Sequence, residues 1–340
     1  MKNTERKIFR KLAKKRWHNL AKLFAIIMLK TRERVSEEQF DQYLTLLGPS
    51  ILKSSLRNKS ERQIRKLISF TQNEVRKPER KLNIAVVMSG QPRSLEHCTK
   101  SLKRFFYGHN ITYFCHLWAG QSNPDILEPL ENYFFIETDS PDFSREERLA
   151  ITNYGLKSFG DGVKIPYVSP NVFPMWFGVN QAFNLIESSG HSPDQYDLIC
   201  RMRYDNFWVG QFDCEDIQIN DKNIIIDYNY NGYGGYGDQF AIGRPSAMKE
   251  YCNLYHWLTT EFLSEPGSER CFPEVMLKNY LQKKELRVIE ENFGLRLLRP
   301  EFVGLQAHQI PLRSHKASSE RNSSMSRYIT EKYPEIANNE

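Results

Sequence analysis

Five consecutive apolar residues, Ile84-Ala85-Val86-Val87-Met88, run straight into Ser89-Gly90-Gln91-Pro92-Arg93. A short apolar run stopped by a turn is the pattern of a buried strand, as in the parallel sheets that helices cover on both faces. The segments that follow keep that alternation. Ser94 opens a helix carrying Leu95, Cys98, Leu102, Phe105 and Phe106. Ile111 to Trp118 reads as a second strand, Asp125 to Asn132 as a short helix and Tyr133 to Ile136 as a third strand. Val172 to Ser188 reads as a long helix with Trp176, Val179, Phe183 and Ile186 on one side. Asp197 to Arg203, Ile224 to Asp227 and Gln239 to Gly243 read as strands, and Ala247 to Leu263 and Glu274 to Lys283 as helices. The expected fold class is α/β, a mixed, mostly parallel sheet flanked by helices.

Charge divides the chain. Up to Leu82 there are 22 Lys and Arg against 8 Asp and Glu, a surplus of 14 that leaves the remainder at −8 within a net charge of +6. Residues 2–34 hold twelve basic side chains against Glu5 and Glu33, and Phe9, Leu12, Leu20, Leu23 and Ile27 recur at helical spacing. The least charged run, Leu20 to Leu29, is ten residues long and contains Lys22. A spanning helix needs about 20 apolar residues, so this segment is not expected to cross a bilayer. No small-residue cleavage site precedes Thr31-Arg32-Glu33-Arg34, which argues against an export signal. An interfacial helix on an anionic cytoplasmic leaflet is the favoured reading, with a basic helix packed on its own protein as the alternative. No nucleic-acid reader motif accompanies the charge, so a nucleic-acid partner is not expected. The expected organisation is a basic helical extension over 1–80, ended by Lys77-Pro78-Glu79-Arg80, an α/β domain over 81–313 and a polar, loosely ordered tail over 314–340.

None of the six cysteines forms a C-x-x-C pair, which disfavours a zinc ribbon or thioredoxin-like site. Cys115, Cys200 and Cys252 lie in apolar settings and read as reduced core residues of a cytosolic protein. His97, His109, His116 and His256 show no ligand spacing and read as structural.

Ligands of such sheets sit beyond the carboxyl ends of the strands. Three strand-ending segments carry suitable groups. At Ser89-Gly90-Gln91-Pro92-Arg93, glycine permits close backbone approach and Arg93 can fork onto a phosphate. Neither GxGxxG nor GxxxxGK[ST] is present, which disfavours a nicotinamide fold or a P-loop kinase. At Arg201-Met202-Arg203-Tyr204-Asp205, the period of two puts Arg201, Arg203 and Asp205 on one face. A phosphate on the arginines and a Mg²⁺ or Mn²⁺ ion on Asp205 would satisfy them, as would a self-contained ion network. Tyr228 to Asp238 interleaves glycines with Tyr230, Tyr233 and Tyr236, whose rings can stack on sugar faces, and ends at Asp238. Glu274 stands at a helix start, where a carboxylate is also favourable for the helix dipole alone.

Together these segments resemble bacterial surface-polysaccharide glycosyltransferases of the GT-A type. The resemblance runs from about Asn83 to His308. It rests on SGQPR at Ser89 to Arg93, MWFGVNQAFNLI…YDLICRMRYD from Met175 to Asp205 and GDQFAIG from Gly237 to Gly243. It implies transfer from a nucleotide-sugar donor to a glycan or lipid-linked acceptor in lipopolysaccharide or capsule synthesis, at the inner face of the cell membrane. The implied donor-binding residues are Ser89, Gly90, Gln91, Arg93, Arg201 and Arg203, with Tyr233 and Tyr236 on the acceptor. Asp205 would hold Mn²⁺ or Mg²⁺. The usual D-x-D pattern is absent, because Arg203 stands two residues before Asp205, and arginines can stabilise a departing diphosphate in a metal's place. Asp238 and Glu274 are the candidates for the base that deprotonates the acceptor hydroxyl. The competing classes are a non-catalytic carbohydrate-binding or membrane scaffold protein and a sulfotransferase-like enzyme.

Overall fold

The first strand, β1 (Asn83–Ser89), is buried from Ile84 to Ser89 because both its faces are covered. Ala85 and Val87 enter one apolar core, and Ile84, Val86 and Met88 enter a second. The computed structural model of the chain describes residues 77–158, 164–166, 168–213, 218–227, 234–264, 272–291, 293–299, 303, 327–328 and 330–334. The basic head expected over residues 2–34, and nearly all of the extension over 1–80, lie outside that set.

Beside β1 lie β2 (Asn110–Trp118) and β3 (Tyr133–Thr138) on one side and β6 (Leu198–Arg203) on the other, all parallel. Two three-residue strands, β4 (Leu156–Ser158) and β5 (Lys164–Pro166), pair with each other outside this sheet. Beyond β6 come β9 (Phe240–Gly243), β8 (Asn223–Asp227) and β10 (Arg287–Glu291). The order in the seven-stranded sheet is β10-β8-β9-β6-β1-β2-β3. β9 runs antiparallel to both its neighbours, so the sheet is mixed and mostly parallel.

One face carries α2 (Ser144–Tyr154), α3 (Val172–Ser188), α4 (Pro245–Cys252), α5 (Leu254–Thr260) and α6 (Pro273–Lys283), whose apolar residues form the first core with Phe114, Ile199, Ile224 and Ala241. The other face carries α1 (Leu95–Phe105), with Leu95, Leu102 and Phe105 packed against Cys200, Met202 and Phe240. A small antiparallel ladder of β7 (Asn206–Trp208) and β11 (Leu295–Leu297) closes that side. There Trp208 stacks on Phe105 at 3.9 Å between centroids. Burying each such large apolar side chain is worth roughly 2–3 kcal/mol.

Three expectations need correcting. The helix expected over Asp125 to Asn132 is a single 3-10 turn, Pro124–Leu127, followed at once by Pro129, which cannot donate to a continuing helix. The helix expected over Ala247 to Leu263 breaks at Asn253 into α4 and α5, with a 3-10 turn at Phe262–Ser264. Part of the expected loose tail is docked. Tyr333 is buried against Ile151 on α2, and Tyr328, Lys332 and Tyr333 all donate to Glu147.

The topology fixes where a ligand can enter. From β1 the chain winds outward through β2 and β3, then crosses back to place β6 on the opposite side of β1. The crevice beyond the carboxyl ends of β1 and β6 is therefore the switch point of the sheet. Register puts Ser89 directly opposite Arg203 there.

Candidate functional site

At the end of β1 the backbone turns sharply. Gly90 has φ +114°, a conformation that glycine adopts without strain. The loop Gly90, Gln91, Pro92 and Arg93 then forms one wall of a cleft of about 350 Å³. The opposite wall is the β2–β3 connection, with Trp118, Gln121, Ser122, Asn123, Asp125 and Ile126. Trp118, the last residue of β2, is half-buried and stacks on Phe177 of α3 at 5.8 Å, which fixes its ring in the wall. Asn123 accepts from the Asp125 N–H and shapes the turn below. This volume and this mix of one aromatic plane with several polar tips suit a small polar molecule with a flat ring.

Beside the cleft, Asp205 follows the end of β6 and is buried. Its carboxylate accepts from Arg203 Nε at 2.7 Å and Arg203 Nη2 at 2.9 Å, and from Arg299 Nη1 at 3.0 Å. Burial alone would raise its pKa. The charge and hydrogen bonds of Arg203, then the charges of Arg299 and Arg93, outweigh burial and hold the carboxyl below its usual range. Arg299 arrives through pairing of the two short strands. Leu297 on β11 lies opposite Asn206 on β7, the Leu298 N–H donates to the Asp205 carbonyl at 2.8 Å, and the next residue is Arg299. Leu298 itself packs on Cys98 and Phe207. Arg203 and Arg299 keep about a fifth of their side chains exposed.

A divalent cation does not fit this arrangement, because both Asp205 oxygens are engaged by guanidinium nitrogens. Among the described residues, no group of three or more His, Cys, Asp or Glu is placed to hold a metal ion.

Arg201 does not join that network. It is buried, and its Nε and Nη1 have no hydrogen-bond partner. It lies opposite Val87 and Ala241, so it faces the first core, where it and Asp238 both act electrostatically on Tyr251 of α4. Tyr251 is also buried with its hydroxyl unpartnered, and Trp176 packs against it at 5.4 Å with its indole N–H unpartnered. One strand further, the His116 side chain donates to or accepts from Thr138 Oγ1 through Nε2 at 2.8 Å, while Nδ1 is unpartnered. Burial lowers the His116 pKa to about 4, so the ring is neutral near pH 7.

Asp238 and Glu274 come from different segments held together by close contacts. The Tyr236 N–H donates to the Glu274 carbonyl at 2.9 Å, and Lys278 on α6 donates to the Gly234 carbonyl at 2.9 Å. A Cβ at Gly235 would overlap the Glu274 backbone, so this approach requires glycine. Asp238 is buried and accepts from Gln239 Nε2, and Tyr236 is half-buried with Lys278 over its ring at 5.8 Å. Tyr233 and the rest of Tyr228 to Tyr233 lie outside the described residues.

The structure thus brings Ser89, Gly90, Gln91, Arg93, Arg203 and Asp205 to the carboxyl edge of the sheet, sets Arg201 deeper, and lodges Asp238 by the start of β9. Sequence reasoning missed Arg299 and Trp118. Trp118 had a signal, since it ends an apolar strand on the ligand side of the sheet. No model of a known protein family matches the chain, and no curated protein matches it as a relative.

Proposed function

We propose that the chain is a glycosyltransferase of GT-A-like type that moves a sugar from a nucleotide-sugar donor to a glycan or lipid-linked acceptor in lipopolysaccharide or capsule synthesis. The observation that carries this reading is the cleft beyond the carboxyl ends of β1 and β2, walled by Trp118 and the Gly90 to Arg93 loop, together with the arginines held on Asp205 after β6, on the other side of β1. Trp118 offers a plane for a base, and Gln91 and Asn123 offer polar groups for a ribose. Arg93, Arg203 and Arg299 offer positive charge where a leaving diphosphate gains negative charge. On the acceptor side, Asp238 and Glu274 are the carboxylates able to take a hydroxyl proton, and Tyr236 can lie against a sugar face. The reading places the protein at the inner membrane face through the basic residues 2–34. No helix among the described residues is long and apolar enough to cross a membrane.

The test is incubation of the purified full-length protein with a panel of nucleotide sugars, with release of nucleoside diphosphate followed by mass spectrometry. One donor should be consumed well above the others, and slowly even without acceptor. No consumption of any donor, alone or with lipid-linked glycan acceptors, would leave a binding or scaffold role.

A further inference from the structure

Three guanidiniums bear on one buried carboxylate at the carboxyl edge of this sheet, and they come from three distant parts of the chain. Arg93 follows β1, Arg203 ends β6, and Arg299 follows β11. Asp205 holds Arg203 in a two-pronged geometry and Arg299 by one further bond, with all three N···O distances between 2.7 and 3.0 Å. A carboxylate engaged in this way is an organiser. It fixes two flexible side chains in one orientation while leaving their outer edges at the surface. Arg93 lines the cleft, and its charge also acts on Asp205, so one guanidinium is shared by the cleft and the field of the pair. A molecule with a flat base in the cleft would carry its charged end past Arg93 toward Arg203 and Arg299.

We propose that Arg93, Arg203 and Arg299 form a diphosphate-binding site that works without a divalent cation, with Asp205 as the residue that positions them. The ligand class is a diphosphate, free or esterified to a nucleoside, and its identification as a nucleotide-sugar leaving group rests on the glycosyltransferase reading above. Planar guanidiniums pair two phosphate oxygens at once, and several of them can supply the charge that a hydrated Mg²⁺ supplies elsewhere. The reverse assignment, Asp205 as a metal ligand, would require breaking its bonds to both arginines and leaving two cations beside a third.

Calorimetric titration of inorganic pyrophosphate into the full-length protein, in EDTA and again with Mg²⁺, separates the two assignments. Binding should persist in EDTA within about threefold of its strength in Mg²⁺. Arg93→Gln, at an exposed side chain that threatens no core, and Arg299→Gln should each weaken it by roughly 10- to 100-fold in both buffers, the loss of a charge-assisted bond. The basic head is common to all variants, so pyrophosphate held there cancels in the comparison. Arg299→Lys, which keeps the charge but not the fork, should recover only part of the loss and guards against a folding artefact. Binding that requires Mg²⁺ would overturn the proposal while leaving glycosyl transfer standing, and so would EDTA-resistant binding that ignores both arginine variants. Arginine-dependent pyrophosphate binding in a protein that consumes no nucleotide sugar would do the opposite.

Discussion

Arg201 is the residue whose environment asks most for an explanation. A buried guanidinium with two of its nitrogens unpartnered costs stability, and such groups are rare in folded proteins. Tyr251 O–H and Trp176 N–H beside it are unpartnered donors too, so this corner holds donors in excess. Arg201→Met fills a similar volume without the charge, and replacing a buried charge by a well-packed apolar group is often stabilising. We expect the midpoint of thermal unfolding to hold or rise, and nucleotide-sugar turnover to fall by about 10²-fold or more if Arg201 serves the transferred sugar or its phosphate. A lowered midpoint with unchanged turnover would make it a structural residue. His116 gives a pH signature. Its folded pKa is about 4 against an ordinary value of 6.5. Between these values the unfolded chain binds a proton that the folded chain refuses, so stability falls as pH drops from 6.5 toward 4, by up to roughly 3 kcal/mol. Denaturant titrations at pH 7, 5.5 and 4.5 should show this slope, and His116→Gln should flatten it. Much of the residue-level site was legible in the sequence. Strand periodicity and the turn at Gly90 placed Ser89 to Arg93 and Arg203 with Asp205 at one edge. The same periodicity placed Arg201 beside them, but a strand's face says nothing of depth, and Arg201 lies inside the core. Arg299 gave no signal because two three-residue strands deliver it, and strands that short leave no hydrophobic pattern.

Among the elements, the contact between Gly235 and the start of α6 couples two candidate carboxylates. Gly235→Ala cannot be accommodated without moving the loop or the helix start, since its Cβ would meet backbone rather than the end of a flexible side chain. We expect a loss of about 1–3 kcal/mol in stability, typical of overpacking, with turnover falling further than the stability loss explains because Asp238 shifts relative to the cleft. Normal kinetics in a folded Gly235→Ala protein would detach this loop from the chemistry. The same region shows what element-level reading of sequence resolves. α3 was legible because its apolar stripe of Trp176, Val179, Phe183 and Ile186 declares it. The split between α4 and α5 at Asn253 was not, because apolar residues continue on both sides of the break. α2 escaped notice because SREERLAITNY carries few apolar residues, and part of its burial is polar, with Glu147 taking bonds from Tyr328, Lys332 and Tyr333.

For the whole molecule, the alternation of strands and helices announced the layers, but not that β9 would enter the sheet antiparallel between β6 and β8. A four-residue strand, buried throughout, looks the same in either direction. Charge distribution also acts at this scale. A body with a surplus of 8 acidic groups is repelled by an anionic bilayer, so any attraction must come from the basic head. Each Lys or Arg near such a surface contributes about 1 kcal/mol, and Phe9, Leu12, Leu20, Leu23 and Ile27, at helical spacing in the sequence, would add shallow insertion under the proposed membrane reading. The attraction decays over a Debye length of about 8 Å at physiological ionic strength, so it should weaken steeply with salt. Attachment would hold the cleft near a lipid-linked acceptor and raise the acceptor's effective concentration without a new contact. Neutralising Lys11, Lys14, Lys15 and Arg16 to Gln in the full chain removes four of the twelve basic groups in residues 2–34. At about 1 kcal/mol each, that should weaken partitioning onto anionic vesicles by roughly 10²–10³-fold, and turnover of a soluble nucleotide sugar should be unchanged. Flotation with vesicles of anionic and of neutral lipid, at low and high salt, reads the difference. If the wild-type protein ignores anionic vesicles at low salt, or if the four-fold variant floats as well as the wild type, the head serves the fold and not the membrane.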